Sequence, residues 1–188
     1  MDATLTSDPR SVVYLNNTQV SIPSRINATS TFSFSFLACS QGTILSQGDE
    51  LSISLEKPSD DSVSYHTVFA VNWKSSTSPQ KLLVKPAYSL DSNILMKVEV
   101  LHNETGIIVR LTPNPAQGQN ILILQEAFLA TSLTASSGSS ITLGSSTFTG
   151  CIYSGSQITI TDEVKSTCPL DTWAPCQNSG TNKKMMRR

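Results

Sequence analysis

Apolar residues in this chain recur at every second position more often than at helical spacing. In Thr31–Phe36, Phe32, Phe34 and Phe36 share one face and Ser33 and Ser35 the other, the alternation of a strand with one buried side. Leu51, Ile53 and Leu55 alternate with Ser52 and Ser54, and Met96, Val98 and Val100 with Lys97 and Glu99. Ile107, Val109 and Leu111 follow, with Arg110 outward. The last two runs are joined by His102-Asn103-Glu104-Thr105-Gly106, whose Asn and Gly supply hairpin-turn chemistry. Ser11–Leu15 and Gln157–Thr161 read as two further strands.

Gly42–Ser46, Val63–Asn72, Lys81–Lys85, Ser139–Gly144 and Thr147–Tyr153 add strands bounded by Pro, Ser or Gly. Ile121–Leu133 is long enough for a short helix, yet its Ile-Leu-Ile-Leu run also fits a strand buried on both faces, and strand is preferred. Ala135–Ser140 reads as a Ser/Gly loop within the domain. More than ten short strands at roughly 8–12-residue spacing, with no convincing helix, predict an all-β antiparallel β-sandwich. Its two sheets should face each other about 10 Å apart.

Composition agrees with this picture. A chain of 188 residues is one domain's worth. Leu, Ile, Val and Phe supply 48 positions, enough for a packed core. Only 14% of residues are charged while Ser and Thr fill 50 positions, a balance that disfavours solvated helices and suits pleated surfaces. Four of the thirteen cations stand in the last six residues, leaving nine against fourteen acids in the body, and these nine are scattered. A phosphate-tracking surface needs clustered Lys and Arg, so nucleic acid and heparin-like polyanions are not expected partners. The tail Lys183, Lys184, Arg187, Arg188 reads either as a localisation patch or, preferably, as an arbitrary chain end. No apolar run reaches the 18 residues that would insert directly into a membrane. Met1-Asp-Ala-Thr lacks a secretory signal's basic start and apolar middle, so any signal and anchor are expected outside this chain.

The chemistry-bearing residues are few. Cysteines stand at 39, 151, 168 and 176, none in the CxxC spacing of a zinc site, and His66 and His102 lie far from them. Clustering near one end suits disulfides and hence an oxidising compartment. No GxSxG elbow is present, Asp60-Asp61 follows Pro58-Ser59 in a solvated loop, and each histidine reads as structural or exposed. Trp73 and Trp173 read as core and rim packing. The expectation is a protein that is not an enzyme. Asn-x-Thr triplets make Asn16, Asn27 and Asn103 glycosylation candidates, and Asn103 sits in a predicted exposed turn.

The final third carries a more specific pattern. Ile141-Thr142-Leu143-Gly144, then Phe148-Thr149-Gly150-Cys151-Ile152, then Cys168, resembles the closing signature of laminin G-like domains. Upstream, Phe32–Phe36, Gly42-Thr43-Ile44-Leu45, Asp49–Leu55 and the hairpin Met96–Leu111 follow in the order that the family's strands take. The resemblance implies a laminin G-like, concanavalin-type jelly roll over residues 1–168. Beyond it, Pro175-Cys176-Gln177-Asn178-Ser179-Gly180 is similar to the opening of an EGF-like repeat. Asn182 replaces that module's next cysteine, so residues 169–188 read as an incomplete EGF-like start and a basic tail. Alternation of the two modules resembles the ectodomains of the Crumbs, neurexin, Slit and Fat-type cadherin groups.

The resemblance also implies site residues. Cys151 and Cys168 match the family's terminal disulfide, the alternatives being Cys168 with Cys176 or no pairing. Cys39 is left as a buried free thiol or as the partner of another cysteine. Many relatives place a Ca2+ ligand at the acid that heads the third strand, here Asp49. Ca2+ wants six to eight oxygens, and Ala127–Ser140, where the second ligand should fall, holds neither Asp nor Asn. No cofactor is therefore firm, and Asp49 is a Ca2+ candidate beside its plainer role of solvating a turn. Leu95 and Met96 stand where the family commonly has Trp-His, and only Ser145-Ser146-Thr147 separate Gly144 from Phe148, shortening a loop near the family's ligand rim.

The resulting expectation is an extracellular binding module of a mosaic cell-surface or matrix protein. It would present loops from one edge of the sandwich to a protein or glycan ligand in adhesion or cell polarity. A carbohydrate-binding lectin-like sandwich and a spacer without a ligand are the alternatives.

Overall fold

The computed structural model describes residues 11–26, 31–57, 68–74, 79–84, 95–103, 106–113, 125–129 and 140–169. Within them the chain forms β1 (Val12–Asn16), β2 (Gln19–Ile22), β3 (Phe32–Ala38), β4 (Gly42–Gln47), β5 (Leu51–Glu56) and β6 (Val68–Lys74). β7 (Pro79–Val84), β8 (Met96–Asn103), β9 (Gly106–Pro113), β10 (Gln125–Leu129), β11 (Ile141–Gly144) and β12 (Thr149–Tyr153) complete it. Two six-stranded antiparallel sheets result, in the orders β1-β12-β3-β8-β9-β10 and β2-β11-β4-β5-β6-β7. The chain alternates between the sheets at both ends and runs in meanders in between, which makes an all-β jelly-roll sandwich. No helix among the described residues is long and apolar enough to cross a membrane.

The period-2 pattern explains the layering. Phe32, Phe34 and Phe36 point inward from β3, and in register with the last two stand Val98 and Met96 of β8. From the facing sheet, Ile53 of β5 and Val71 of β6 are paired and buried. Phe36 stacks on Phe69 across the sandwich with ring centroids 6.1 Å apart. Each fully buried aromatic or aliphatic side chain is worth roughly 1.5–3 kcal/mol, so the fold rests on many such residues from both layers. A bulge between Thr43 and Leu45 lets Ile44 and Leu45 both be buried.

Phe148-Thr149-Gly150-Cys151-Ile152 owes its residue types to its place in the sheet. Phe148 and Ile152 are fully buried between the layers. Gly150 pairs with Leu15 on one side and Ala38 on the other, and a Cβ there would strike the Leu37 carbonyl oxygen and the Phe148 ring. Cys151 points to the outer face, where Cys168 bonds to it with the Cα atoms 5.9 Å apart.

Two sequence expectations are corrected. Gln157–Thr161 forms no strand: only Gly155 and Ile158 make an isolated bridge. Ile158 and Ile160 are buried, but the segment crosses the open end of the sandwich, so it alternates inward and outward without a neighbouring ladder. β2 was not anticipated; it is a four-residue edge strand with exposed Gln19 and Ser21. Ile121–Leu133 contains a strand at Gln125–Leu129, as preferred. His66, Asp60, Asp61, Trp173 and residues 170–188, with the EGF-like start, lie outside the described residues.

Candidate functional site

Strand direction and register divide the loops between two ends. At one end β4 turns into β5 through Gly48-Asp49-Glu50. Gly48 takes φ 51°, a left-handed value that glycine adopts without strain, and Glu50 N–H donates to the Gln47 carbonyl at 3.1 Å. Asp49 is exposed at the tip. Beside it lies Pro23–Ile26, the exit from β2. The buried Gln47 carboxamide binds that segment at two points, accepting from Ile26 N–H at 2.8 Å and donating to Ile26 carbonyl at 3.3 Å.

The segment after β12 is stitched to the same end. Ser24 Oγ donates to Thr159 carbonyl at 3.3 Å and accepts from Thr159 N–H at 3.0 Å. Ser156 N–H donates to Ser33 Oγ at 3.1 Å, and Gln157 Nε2 donates to Thr31 carbonyl at 2.7 Å. Ile141 N–H donates to Ser24 carbonyl at 3.3 Å, which fixes the start of β11 there as well. Three segments remote in sequence thus form one surface with Arg25 and Asp49 exposed. The β8–β9 hairpin, closed by Asn103 opposite Gly106, reaches the same end.

The other end is built from hydroxyls and amides. Ser40 Oγ donates to Thr147 carbonyl at 2.7 Å and accepts from Thr149 N–H at 2.7 Å. Thr149 Oγ1 is shared between Asn16 Oδ1 at 3.3 Å and Asn17 Oδ1 at 3.1 Å. Asn17 takes φ 53° and donates its N–H to Phe148 carbonyl at 2.9 Å.

On the outer face of the first sheet, Leu37, Cys151 and Cys168 form a separate buried cluster with Val12, Tyr14, Leu95 and Tyr153 against it. The segment leading to Cys168 lies along β1: Ser166 N–H donates to Val12 carbonyl at 2.8 Å, and Tyr14 N–H donates to Ser166 Oγ at 2.7 Å. Lys165 Nζ lies 2.6 Å from Asp162 Oδ1, and its hydrogen bond holds that carboxyl below its ordinary pKa.

The structure therefore joins Cys151 to Cys168, and the Cys168–Cys176 alternative falls. Cys39 is also disulfide-bonded, which removes the free-thiol alternative. Asp49 and the start of β11 share one end. Among the described residues, no group of three or more His, Cys, Asp or Glu stands together to hold a metal ion. Asn16 is exposed at the end of β1, Asn27 lies outside the described residues, and Asn103 ends β8. Gln47, Ser24 and Ser166 were missed by sequence reasoning. Gln47 had a signal: it occupies the inward phase of β4, two residues after Leu45, where an apolar side chain was due.

No family model matches the chain, and no curated protein matches it in sequence. Among solved structures it is similar to domains LG4-5 of the mouse laminin alpha1 chain. The TM-score is 0.49 and the identity 12%, over 87% of this chain and 48% of that one, so the chain spans about half that structure's length.

Proposed function

We propose that this chain is an extracellular, non-catalytic binding module of the laminin G-like kind within a larger mosaic cell-surface or matrix protein. It meets a protein or glycan ligand with the end that carries Arg25 and Asp49, and serves adhesion or cell polarity. The observation that carries this reading is that hydrogen bonds tie Pro23–Ile26 both to Gln47, where the Gly48–Glu50 turn begins, and to Thr159 of the segment after β12. A prearranged loop surface binds without first ordering itself, which is where binding affinity is otherwise lost. The Cys151–Cys168 disulfide supports an oxidising environment.

The test is to probe the immobilised chain with extracellular matrix proteins and with a glycan array. Arg25→Ala with Asp49→Ala should remove at least ~90% of binding while leaving the melting temperature unchanged. Undiminished binding by that double variant contradicts the assignment of this end. Retention confined to one sugar class, and competed by the free sugar, favours the lectin-like alternative; no retention on either surface favours the spacer. Calorimetry with Ca2+ bears on Asp49 separately, and no heat at millimolar metal excludes it as a ligand.

A further inference from the structure

The triplet Asn16-Asn17-Thr18 occupies the corner where the chain leaves one sheet for the other, and all three residues are exposed. The left-handed Asn17, tied to Phe148 carbonyl at 2.9 Å, fixes the shape of that corner. Asn16 stands opposite Thr149 in the β1–β12 ladder, and Thr149 Oγ1 shares its proton between Asn16 Oδ1 at 3.3 Å and Asn17 Oδ1 at 3.1 Å. The oxygen side of the carboxamide is thereby turned to the sheet. Nδ2, on the other side of the planar amide, makes no hydrogen bond among the described residues. The acceptor atom for a sugar is thus the one atom of this side chain that the fold leaves unused.

We infer that Asn16 carries an N-linked oligosaccharide, an inference that rests on the extracellular reading above. The donor class is a lipid-pyrophosphoryl oligosaccharide. The bond from its first sugar's C1 to the pyrophosphate oxygen breaks, a C1–N bond to Asn16 Nδ2 forms, one Nδ2 proton is lost, and the lipid pyrophosphate leaves; nothing is oxidised or reduced. The product is a secondary amide whose oxygen still accepts, so the hydrogen bond from Thr149 survives modification. Thr18 completes the acceptor triplet. The glycan stands at the Ser40–Thr147 end, opposite Asp49, and leaves the proposed binding end uncovered.

The experiment expresses the full chain behind a cleavable secretory leader, in microsomes and in secreting cells. Glycans are removed with a peptide N-glycosidase in 18O water, and the peptides are read by mass spectrometry. Label at position 16 in most molecules, lost in Thr18→Ala, is the expected result. Because microsomes report on the nascent chain, poor folding of the variant does not obscure the readout. An unlabelled position 16 in both systems overturns the inference. Surface protease treatment of cells that make the native protein separates this failure from that of the reading beneath it. A native protein exposed on cells but unmodified at Asn16 overturns the glycan alone, whereas one confined to the cytosol overturns the extracellular assignment and the glycan with it.

Discussion

The two faces of the first sheet bury apolar side chains in different ways. On the inner face, Phe32, Phe34 and Phe36 meet side chains from the opposing six strands, and Phe34 and Phe36 lie 6.3 Å apart within a core that both layers share. On the outer face, Leu37 and Cys151 pack, among the described residues, with Val12, Tyr14, Leu95, Tyr153 and the segment that reaches them along β1, which the Cys151–Cys168 disulfide and the Ser166 hydrogen bonds secure. The first arrangement is held cooperatively by residues from the whole chain. The second is a local clasp, so it should open without the sandwich coming apart.

The largest effect is expected on the inner face. Phe34→Ser removes a ring that is 1% exposed and leaves a cavity with a hydroxyl in it, costing roughly 3–5 kcal/mol. Ser33→Ala, one residue away and facing outward, loses only the hydrogen bond from Ser156 and should cost about 1 kcal/mol. Urea midpoints of the two variants decide the register, and equal losses contradict it. Replacing Cys151 and Cys168 by Ala together opens a link with a sequence separation of 17, worth ~3 kcal/mol in the chain-entropy model. Near-ultraviolet circular dichroism from the inner aromatics should nevertheless persist below the lowered melting point. An unchanged melting point would show that the clasp carries no stability.

Gln47 shows how far such distinctions could be read from sequence. The inner face was legible because Phe32–Phe36, Leu51–Leu55 and Met96–Val100 alternate cleanly, and burial of one sheet face demands that alternation. Gln157–Thr161 alternates as cleanly yet forms no strand, since alternation reports which side is buried and not whether a neighbour lies alongside. β2 escaped notice because an exposed edge strand of four residues ending at Pro23 has little pattern to show. The terminal disulfide came from family likeness, and the structure placed its purpose on the outer face. The candidate site was the least legible: only Asp49 was anticipated, whereas the bonds that shape the surface come from Gln47, Ser24 and Ser33, which look like ordinary strand and loop residues. Gln47→Ala strands the Ile26 N–H and carbonyl in a buried setting and should cost about 1–3 kcal/mol. Chemical denaturation measures that loss, and a loss near zero would mean that the β2 exit is not held by this side chain.

The smallest effect belongs to the outer face of the second sheet. Burial opposes ionisation of Glu56, but the hydrogen bond from Lys81 at 2.6 Å, another from Ser54 and the Lys81 charge outweigh it, and its pKa lies below the ordinary value. A carboxyl with a lowered folded-state pKa adds stability above its unfolded pKa and loses it as the pH falls through the folded one. Because both partners are a third or more exposed, the gain is at most about 1 kcal/mol and weakens with salt. The stability gap between the native chain and Glu56→Gln should be constant at neutral pH and vanish on acidification. A gap that widens in acid contradicts the sign.

Hydrogen exchange with and without a dithiol reductant tests most directly whether the sandwich is held between its layers and only clasped from outside. Reduction should expose the amides of Tyr14 and Ser166 to rapid exchange while those of Ile53 and Val98 stay protected. Simultaneous loss of protection at all four positions, or none at Tyr14 and Ser166, would contradict it.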